Sequence, residues 1–194
     1  MINKNMKTAI IFISTGKKSY YKKFIRSMEI LGFKVHYINL EWKHKTLSDW
    51  INQARIQIKR VKQPFHLVGF SVGAMVALIL AKESHPRSLI ICSLSPFFND
   101  IKYKIPSHIK NTAGKKRLND FKKYNLKEIT KNIKNNKIPT SIFVGSKEIP
   151  IMIKTAKYLN RFITNSSFHM EKACKHDINC FDIKAGLPKE ACSN

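Results

Sequence analysis

The feature that most constrains the fold is a regular alternation of short apolar runs with longer segments of helical periodicity. The run 7–14 is rich in β-branched residues and is typical of a central strand, and the segment 19–31 repeats its apolar residues every three or four positions. Strands that alternate with helices in this way are joined by crossover connections. The pattern therefore predicts an α/β fold whose mainly parallel central sheet has helices on both faces.

The remaining predicted elements continue this alternation, apart from one interruption. Strands are predicted at 34–40, 66–70, 88–94, 140–144 and 167–171, and helices at 47–61, 72–84 and 150–163. Between Asp100 and Ile138 the chain is rich in lysine, contains no strand pattern, and predicts helices at 113–124 and 126–133. We interpret residues 1–194 as a single domain with a helical insertion at about 100–138.

The segment 66–75 carries the chemistry. It reads HLVGFSVGAM, an apolar strand followed by G-x-S-x-G and an apolar helix. That context is the one a nucleophile elbow requires, because the serine must lie on a sharp turn between very small neighbours. Gly69 and Gly73 supply those neighbours, and the backbone N–H of Val72 at the helix start could stabilise an oxyanion. We therefore interpret Ser71 as a nucleophile.

A nucleophilic serine needs a base that is oriented by an acid, and the order of the residues narrows the choice of acid. Glu148 lies just past the apolar strand 140–144, and the carboxyl ends of strands are where an open α/β sheet places its site. Asp100 follows the preceding strand and is the reserve candidate. The sequence favours Glu148 as the acid.

Two histidines follow Glu148 and so complete the order serine, acid, histidine. His169 lies inside the predicted strand 167–171, where packing explains it. His176 lies in the loop after that strand, in the sequence ACKHD, from which it could reach Ser71. We favour His176 as the base.

These motifs make the chain resemble the α/β-hydrolase superfamily over nearly its whole length. The residues that carry the resemblance are GFSVG at 69–73, VGSKE at 144–148 and KHD at 175–177. The resemblance implies an α/β-hydrolase fold with a short helical lid over the site, formed by the insertion. It also implies a catalytic triad of Ser71, Glu148 and His176, with glutamate in place of the commoner aspartate.

In that superfamily the loop after the first core strand commonly ends in His-Gly and supplies a second oxyanion donor. Here the loop reads Ser14-Thr15-Gly16-Lys17, so Gly16 matches and Thr15 departs from the pattern. The resemblance implies that the backbone N–H of Lys17 is the second donor, beside that of Val72. It implies hydrolysis of a carboxylic ester or thioester through an acyl-enzyme, with no cofactor or metal.

The charge of the chain bears on its partners. Lys+Arg 36 against Asp+Glu 12 gives a formal net charge of +24, and the insertion carries twelve Lys/Arg against two acids between residues 102 and 137. A basic lid would steer an acidic carrier protein to the site, as in the pimeloyl-acyl carrier protein methyl ester esterases of biotin synthesis that this arrangement resembles. Coding bias towards Lys, Ile and Asn explains the same lysines without a functional role.

A second class of function is a catalytically inactive hydrolase fold that binds acidic partners through its basic surface. The retained serine, acid and histidine argue against it, and the scarcity of arginine and of recognisable motifs argues against nucleic acid. No apolar run approaches the ~20 residues of a membrane span. We expect a cytoplasmic protein with reduced cysteines, although a disulfide among Cys174, Cys180 and Cys192 would form in an oxidising compartment.

Overall fold

The computed structural model describes residues 8–62, 64–135 and 137–187, in which six parallel strands form one sheet in the order β2-β1-β3-β4-β5-β6. The strands are β1 (Ala9–Thr15), β2 (Lys34–Leu40), β3 (Phe65–Phe70), β4 (Ser88–Cys92), β5 (Thr140–Gly145) and β6 (Ser166–Glu171). The helices are α1 (Lys22–Ile30), α2 (Leu47–Ile58), α3 (Val72–Ser84), α4 (Ser107–Ala113), α5 (Lys115–Phe121), α6 (Leu126–Asn135) and α7 (Pro150–Phe162). The α/β fold predicted from the alternation is confirmed.

Two apolar clusters cover the two faces of the sheet, because neighbouring residues of a strand point to opposite sides. On β1, Ile11 and Ile13 pack into a large cluster with α2, α3, α6 and α7. Ile10 and Phe12 belong to a smaller cluster with α1 and the C-terminal segment 178–187, which contains two short 3-10 turns. Every residue of β3, β4 and β5 is buried, which explains why these strands read as continuous apolar runs.

Local sequence signals fix the starts of several helices. Thr46 and Asp49 form a capping box at α2, in which the Thr46 N–H donates to Asp49 Oδ2 over 2.8 Å and the Asp49 N–H donates to Thr46 Oγ1. Pro150 occupies the first position of α7, where its missing N–H costs nothing. None of the helices in the described ranges is long and apolar enough to span a membrane.

The insertion between β4 and β5 differs from the sequence prediction. The helix predicted at 113–124 is present as the shorter α5, because Gly114 adopts φ +78° and separates α4 from α5. The first of these two helices was not predicted at all. Its seven residues contain little apolar periodicity, so the sequence gives no strong signal for a helix there. In the structure Pro106 immediately precedes its first residue. The helix predicted at 126–133 is present as α6.

Because all six strands are parallel, their carboxyl ends meet at one edge of the sheet. The residues that follow β3, β4, β5 and β6 therefore lie in neighbouring loops at this edge. Ser71, Ser93, Glu148 and His176 all come from these loops. This edge is the place to examine for a functional site.

Candidate active site

The turn between β3 and α3 holds Ser71 in a backbone conformation that few residues adopt. Its φ is 58° and its ψ is −119°, outside the helical and extended regions. The Ser71 N–H donates to the carbonyl of Cys92 on the neighbouring strand over 3.0 Å, and the Ser71 carbonyl accepts from Ala74. Strain of this kind persists only where the surroundings fix the backbone, and here β4 and α3 do so.

The glycines on either side of Ser71 make the tight turn feasible. A Cβ atom on Gly73 would overlap the backbone of Ile13 on β1, and one on Gly69 would overlap the backbone of Gly73 and Ala74. Helix α3 therefore approaches both β1 and the end of β3 more closely than any side chain permits. The small neighbours expected of a nucleophile elbow are required here by packing.

Three of the predicted residues form one hydrogen-bonded chain. The hydroxyl oxygen of Ser71 lies 3.0 Å from Nε2 of His176, and Nδ1 of the same ring lies 3.1 Å from Oε2 of Glu148. The His176 ring also packs against Phe70, with ring centroids 4.8 Å apart. Each ring nitrogen therefore has one partner, as an imidazole needs if it is to accept a proton on one side while being held on the other.

Glu148 is fixed by more than the histidine. Its side chain is fully buried, and its Oε1 accepts hydrogen bonds from the Ser93 hydroxyl at 2.6 Å and from the Gly145 N–H at 2.9 Å. Complete burial of the Cys92 thiol and the charge of this nearby carboxylate raise the pKa of the thiol well above its ordinary value. The thiol therefore stays neutral beneath Glu148.

Asp100 and His169, the alternatives to Glu148 and His176, make other contacts in the structure. Asp100 accepts hydrogen bonds from the N–H groups of Leu126 and Lys127, at 2.7 and 3.0 Å, and so caps the start of α6. His169 stacks on Phe143 with a centroid separation of 4.4 Å. The hydrogen bonds connect Ser71 instead to His176, and through it to Glu148.

The two backbone N–H groups predicted to bind an oxyanion, those of Val72 and Lys17, differ in their position relative to the cavity beside Ser71. Val72 is the first residue of α3, so its N–H has no carbonyl partner within the helix, and the residue lines the cavity beside Ser71. Lys17 precedes the 3-10 turn Lys18–Tyr21 and is not among the residues that line this cavity. Its loop is held by a hydrogen bond of 2.7 Å from the Tyr37 hydroxyl to the carbonyl of Gly16. The role of Lys17 stays a prediction.

A cavity of about 420 Å³ opens over Ser71 and His176. Most of its wall is apolar, and its lining includes Trp42, Pro96, Phe97, Ile109, Ala113, Ile149 and Met152. The insertion contributes to this wall through α4. A site with one polar corner and apolar walls suits an apolar group attached to a reactive carbonyl.

Sequence reasoning missed two serines at this site. Ser93 holds Glu148, and the hydroxyl of Ser95 lies 3.4 Å from that of Ser71. Both follow β4, in the sequence Ser93-Leu94-Ser95-Pro96, although the strand predicted at 88–94 included Ser93. Polar residues directly after a buried strand are the signal that could have identified them.

The cysteines also differ from the expectation. Cys174 and Cys180 form a disulfide across the loop that carries His176, where we expected reduced thiols. The loop folds back on itself through a turn at 178–180, which brings the two cysteines within disulfide reach. Cys92 is free and buried, as its place in a strand predicts, and Cys192 lies outside the described residues.

No protein-family model and no curated protein sequence matches the chain. Solved structures do match its fold. Est1E from Butyrivibrio proteoclasticus aligns with a TM-score of 0.72 at 13% identity, over 98% of this chain and 87% of that one. An α/β hydrolase enzyme from the metagenome of lagoon sediments at Mar Chica, Morocco, aligns with a TM-score of 0.67 at 17% identity, over 91% and 85%. The thioesterase domain from the curacin biosynthetic pathway aligns with a TM-score of 0.66 at 13% identity, over 93% and 89%. This chain has the α/β-hydrolase fold.

Proposed function

We propose that the protein is a serine hydrolase that cleaves carboxylic esters or thioesters through an acyl-enzyme on Ser71. The observation that carries the proposal is the continuous chain from the Ser71 hydroxyl through His176 to the buried Glu148, at the base of an apolar cavity. An imidazole whose two nitrogens face a hydroxyl and a carboxylate is arranged to take a proton from the hydroxyl.

The first half of the reaction forms the acyl-enzyme. Nε2 of His176 takes the proton of the Ser71 hydroxyl as its oxygen attacks the carbonyl carbon of the substrate. The buried carboxylate of Glu148 stabilises the imidazolium that results. The N–H groups of Val72 and Lys17 donate to the oxyanion of the tetrahedral intermediate. His176 then returns the proton to the departing alkoxide or thiolate as the carbonyl–heteroatom bond breaks.

The second half repeats these steps with water. His176 takes a proton from a water molecule, whose oxygen attacks the acyl carbon and forms a second tetrahedral intermediate. Collapse of that intermediate breaks the bond to Ser71, and His176 protonates the serine oxygen. The products are the alcohol or thiol from the first half and a carboxylic acid from the second, and Ser71 is regenerated.

The narrower substrate that we propose is an acyl group delivered by an acidic carrier, an acyl-carrier-linked methyl ester being one example. Helix α4 of the insertion lies at the cavity, through Ile109 and Ala113, so the lysine-rich segment borders the entrance that a carrier would use. Charge steering is screened beyond ~10 Å at 0.1 M salt. We expect efficiency on a carrier-bound substrate to fall steeply with salt and efficiency on a neutral ester to stay nearly constant. Equal salt dependence would favour a small-molecule esterase.

The decisive experiment for the proposed reaction compares two serines that are 3.4 Å apart. A fluorophosphonate should label the wild-type protein on Ser71, and Ser71→Ala should abolish both labelling and the hydrolysis of a p-nitrophenyl ester. Ser95→Ala, the matched control, should be labelled and should retain most of the turnover. Labelling that survives in Ser71→Ala, or a folded wild-type protein that hydrolyses no ester, would contradict the mechanism. The second of these results would favour a binding protein.

A further inference from the structure

Helix α5 of the insertion is attached to the loop between β2 and α2 by Arg117. The guanidinium carbon of Arg117 lies 4.1 Å from the centroid of the Trp42 ring. Its nitrogens donate hydrogen bonds to the backbone carbonyls of Lys45 at 2.8 Å, of Ala113 at 3.0 Å and of Trp42. Arg117 therefore binds the backbone of the loop and the face of its tryptophan at once.

The ring of Trp42 also contacts a second tryptophan. Its ring stacks on Trp50 at a centroid distance of 5.0 Å and an interplanar angle of 24°. Trp50 is fully buried in α2, and its indole N–H donates to the carbonyl of Glu41 over 2.6 Å. The guanidinium carbon of Arg117 also lies 5.6 Å from the centroid of Trp50, so the cation and the two rings form one cluster. It remains 36% exposed and forms part of the cavity wall.

A second contact joins α5 to the start of α2, directly after the loop that carries Trp42. The buried carboxylate of Asp120 accepts hydrogen bonds from the N–H of Ser48 at 2.7 Å and from its hydroxyl at 2.9 Å. Lys123 pairs with the same carboxylate at 2.7 Å. Two independent attachments, about one helical turn apart on α5, keep the β2–α2 loop and the insertion together. The Trp42 wall therefore has a fixed position.

We propose that Trp42 is the residue that limits the length of the acyl group, and that Arg117 is the positioning residue that holds it there. This inference rests on the proposed function. A long acyl chain that reaches the indole can pass only if the ring turns away. Turning requires separation from Trp50 and loss of the Arg117 contact. An acetyl group does not extend that far, so it is indifferent to the ring.

The test measures kcat and KM on p-nitrophenyl esters from acetate to laurate, which vary the acyl group and keep the leaving group. In Trp42→Ala we expect kcat/KM on the long esters to rise on the order of tenfold relative to acetate, mainly through a lower KM. Tyr103→Ala is the matched control, because this exposed aromatic residue of the insertion does not line the cavity. Its length profile should equal that of the wild type.

The role of Arg117 has a readout that does not depend on turnover. The chain contains only two tryptophans, so circular dichroism of their stacked pair reports the position of Trp42. Trp42→Phe should remove the exciton couplet of the pair. Arg117→Met, which keeps an apolar stem, should weaken the couplet and shift the length profile in the direction of Trp42→Ala. Lys122→Met, which changes a cation directly after α5 that bonds to Asn119, should do neither.

The outcomes separate this inference from the proposed function. Ester hydrolysis with an unchanged length profile in Trp42→Ala overturns the inference and leaves the proposed function standing. A couplet that is unaffected in a folded Arg117→Met protein overturns the positioning role. A folded wild-type protein that hydrolyses no ester overturns the proposed function and the length limit with it. A broadened profile together with a weakened couplet supports both roles.

Discussion

The nucleophile and the base of the proposed site are held by different means. Ser71 lies between a fully buried strand and a largely buried helix, and close backbone packing at Gly69 and Gly73 fixes its turn. His176 lies in a loop after the edge strand β6, with 43% of its side chain exposed. That loop is held by a disulfide, by hydrogen bonds such as the one from the Lys147 N–H to the Cys174 carbonyl at 2.8 Å, and by one close backbone approach, to Gly145. The comparison indicates that changes in the elbow affect stability and activity together, whereas changes in the loop affect mainly activity.

The largest effect is expected at Gly73. In Gly73→Ala the new methyl group overlaps the backbone of β1, which cannot move without disturbing the central sheet. We expect a loss of more than about 4 kcal/mol in the free energy of unfolding and no measurable turnover. Gly114→Ala is the control, because its Cβ meets nothing within 4 Å although its φ is +78°. Urea denaturation should show a smaller loss there, of about 1–3 kcal/mol, because Gly114 has φ 78° and ψ 155°, a region that alanine rarely adopts. Equal losses in the two variants would show that packing does not fix the elbow.

The next largest effect is expected at Glu148, the proposed acid, where we predict a change in turnover rather than in stability. Glu148→Gln keeps the shape of the side chain but removes the charge that holds the histidine, so we expect turnover to fall by roughly 10³-fold to 10⁴-fold. Asp100→Asn is the matched control, since Asp100 caps α6 away from the histidine. It should lose about 1 kcal/mol of stability and keep its turnover. A larger loss of turnover in Asp100→Asn would reassign the acid.

The third prediction concerns the strand that supports the turn at Ser71: lowering the pH should reduce the free energy of unfolding through His66 on β3. His66 lies on β3 at the end of the strand opposite Ser71, and its ring is fully buried, with no hydrogen-bond partner for Nε2 among the described residues. Burial, and secondarily the charge of Arg87, lower its pKa from 6.5 to about 4. The unfolded chain therefore binds a proton that the folded one does not, and stability is complete above pH 6.5.

As the pH falls from 6.5 to about 4, this histidine should cost roughly 3 kcal/mol of the free energy of unfolding. The measurement is urea denaturation at about pH 7.5 and at about pH 4. The control is the variant His66→Gln, in which this side chain does not titrate and every other ionisable group is the same as in the wild type. The pH-dependent loss should be smaller in this variant by the amount assigned to His66. Identical losses in both proteins would contradict the lowered pKa.

The smallest effect is expected at the disulfide. Opening the seven-residue loop between Cys174 and Cys180, in the variant Cys180→Ser, should cost about 2 kcal/mol by the chain-entropy estimate. Turnover should fall on the order of tenfold, because His176 is then less well oriented. A dithiol reductant should have the same effect on the wild type and on Cys192→Ser, and no further effect on Cys180→Ser. Reductant sensitivity that disappears in Cys192→Ser would indicate a different pairing.

Features that depend on neighbours in the sequence could be predicted. The strands read as apolar runs because both faces of the sheet are covered, and the elbow could be recognised because a strand, two glycines and a helix are adjacent in the chain. Glu148 and His176 could be selected because parallel strands bring their carboxyl ends together. The prediction of these residues uses only their order in the chain and the periodicity around them, both of which can be read from the sequence.

Features that depend on distant partners could not be predicted. The hydrogen bond from Ser93 to Glu148 joins residues 55 positions apart, and the one from Arg117 to the Trp42 carbonyl joins residues 75 apart. No local pattern specifies such pairs. The pairing of Cys174 with Cys180 required the path of the loop, whereas the break between α4 and α5 has a local signal in Gly114 that periodicity alone does not show.

The separation of 105 residues between Ser71 and His176 has a consequence for the order in which the protein becomes active during synthesis. The elbow needs β1, β3, β4 and α3, all of which precede residue 93. The base arrives only after β5 and β6 have been added to the edge of the sheet. At ~5–20 residues per second, a ribosome would expose the nucleophile several seconds before its proton acceptor. In the proposed mechanism, hydrolysis can therefore begin only after His176 has been made, however early the turn at Ser71 forms.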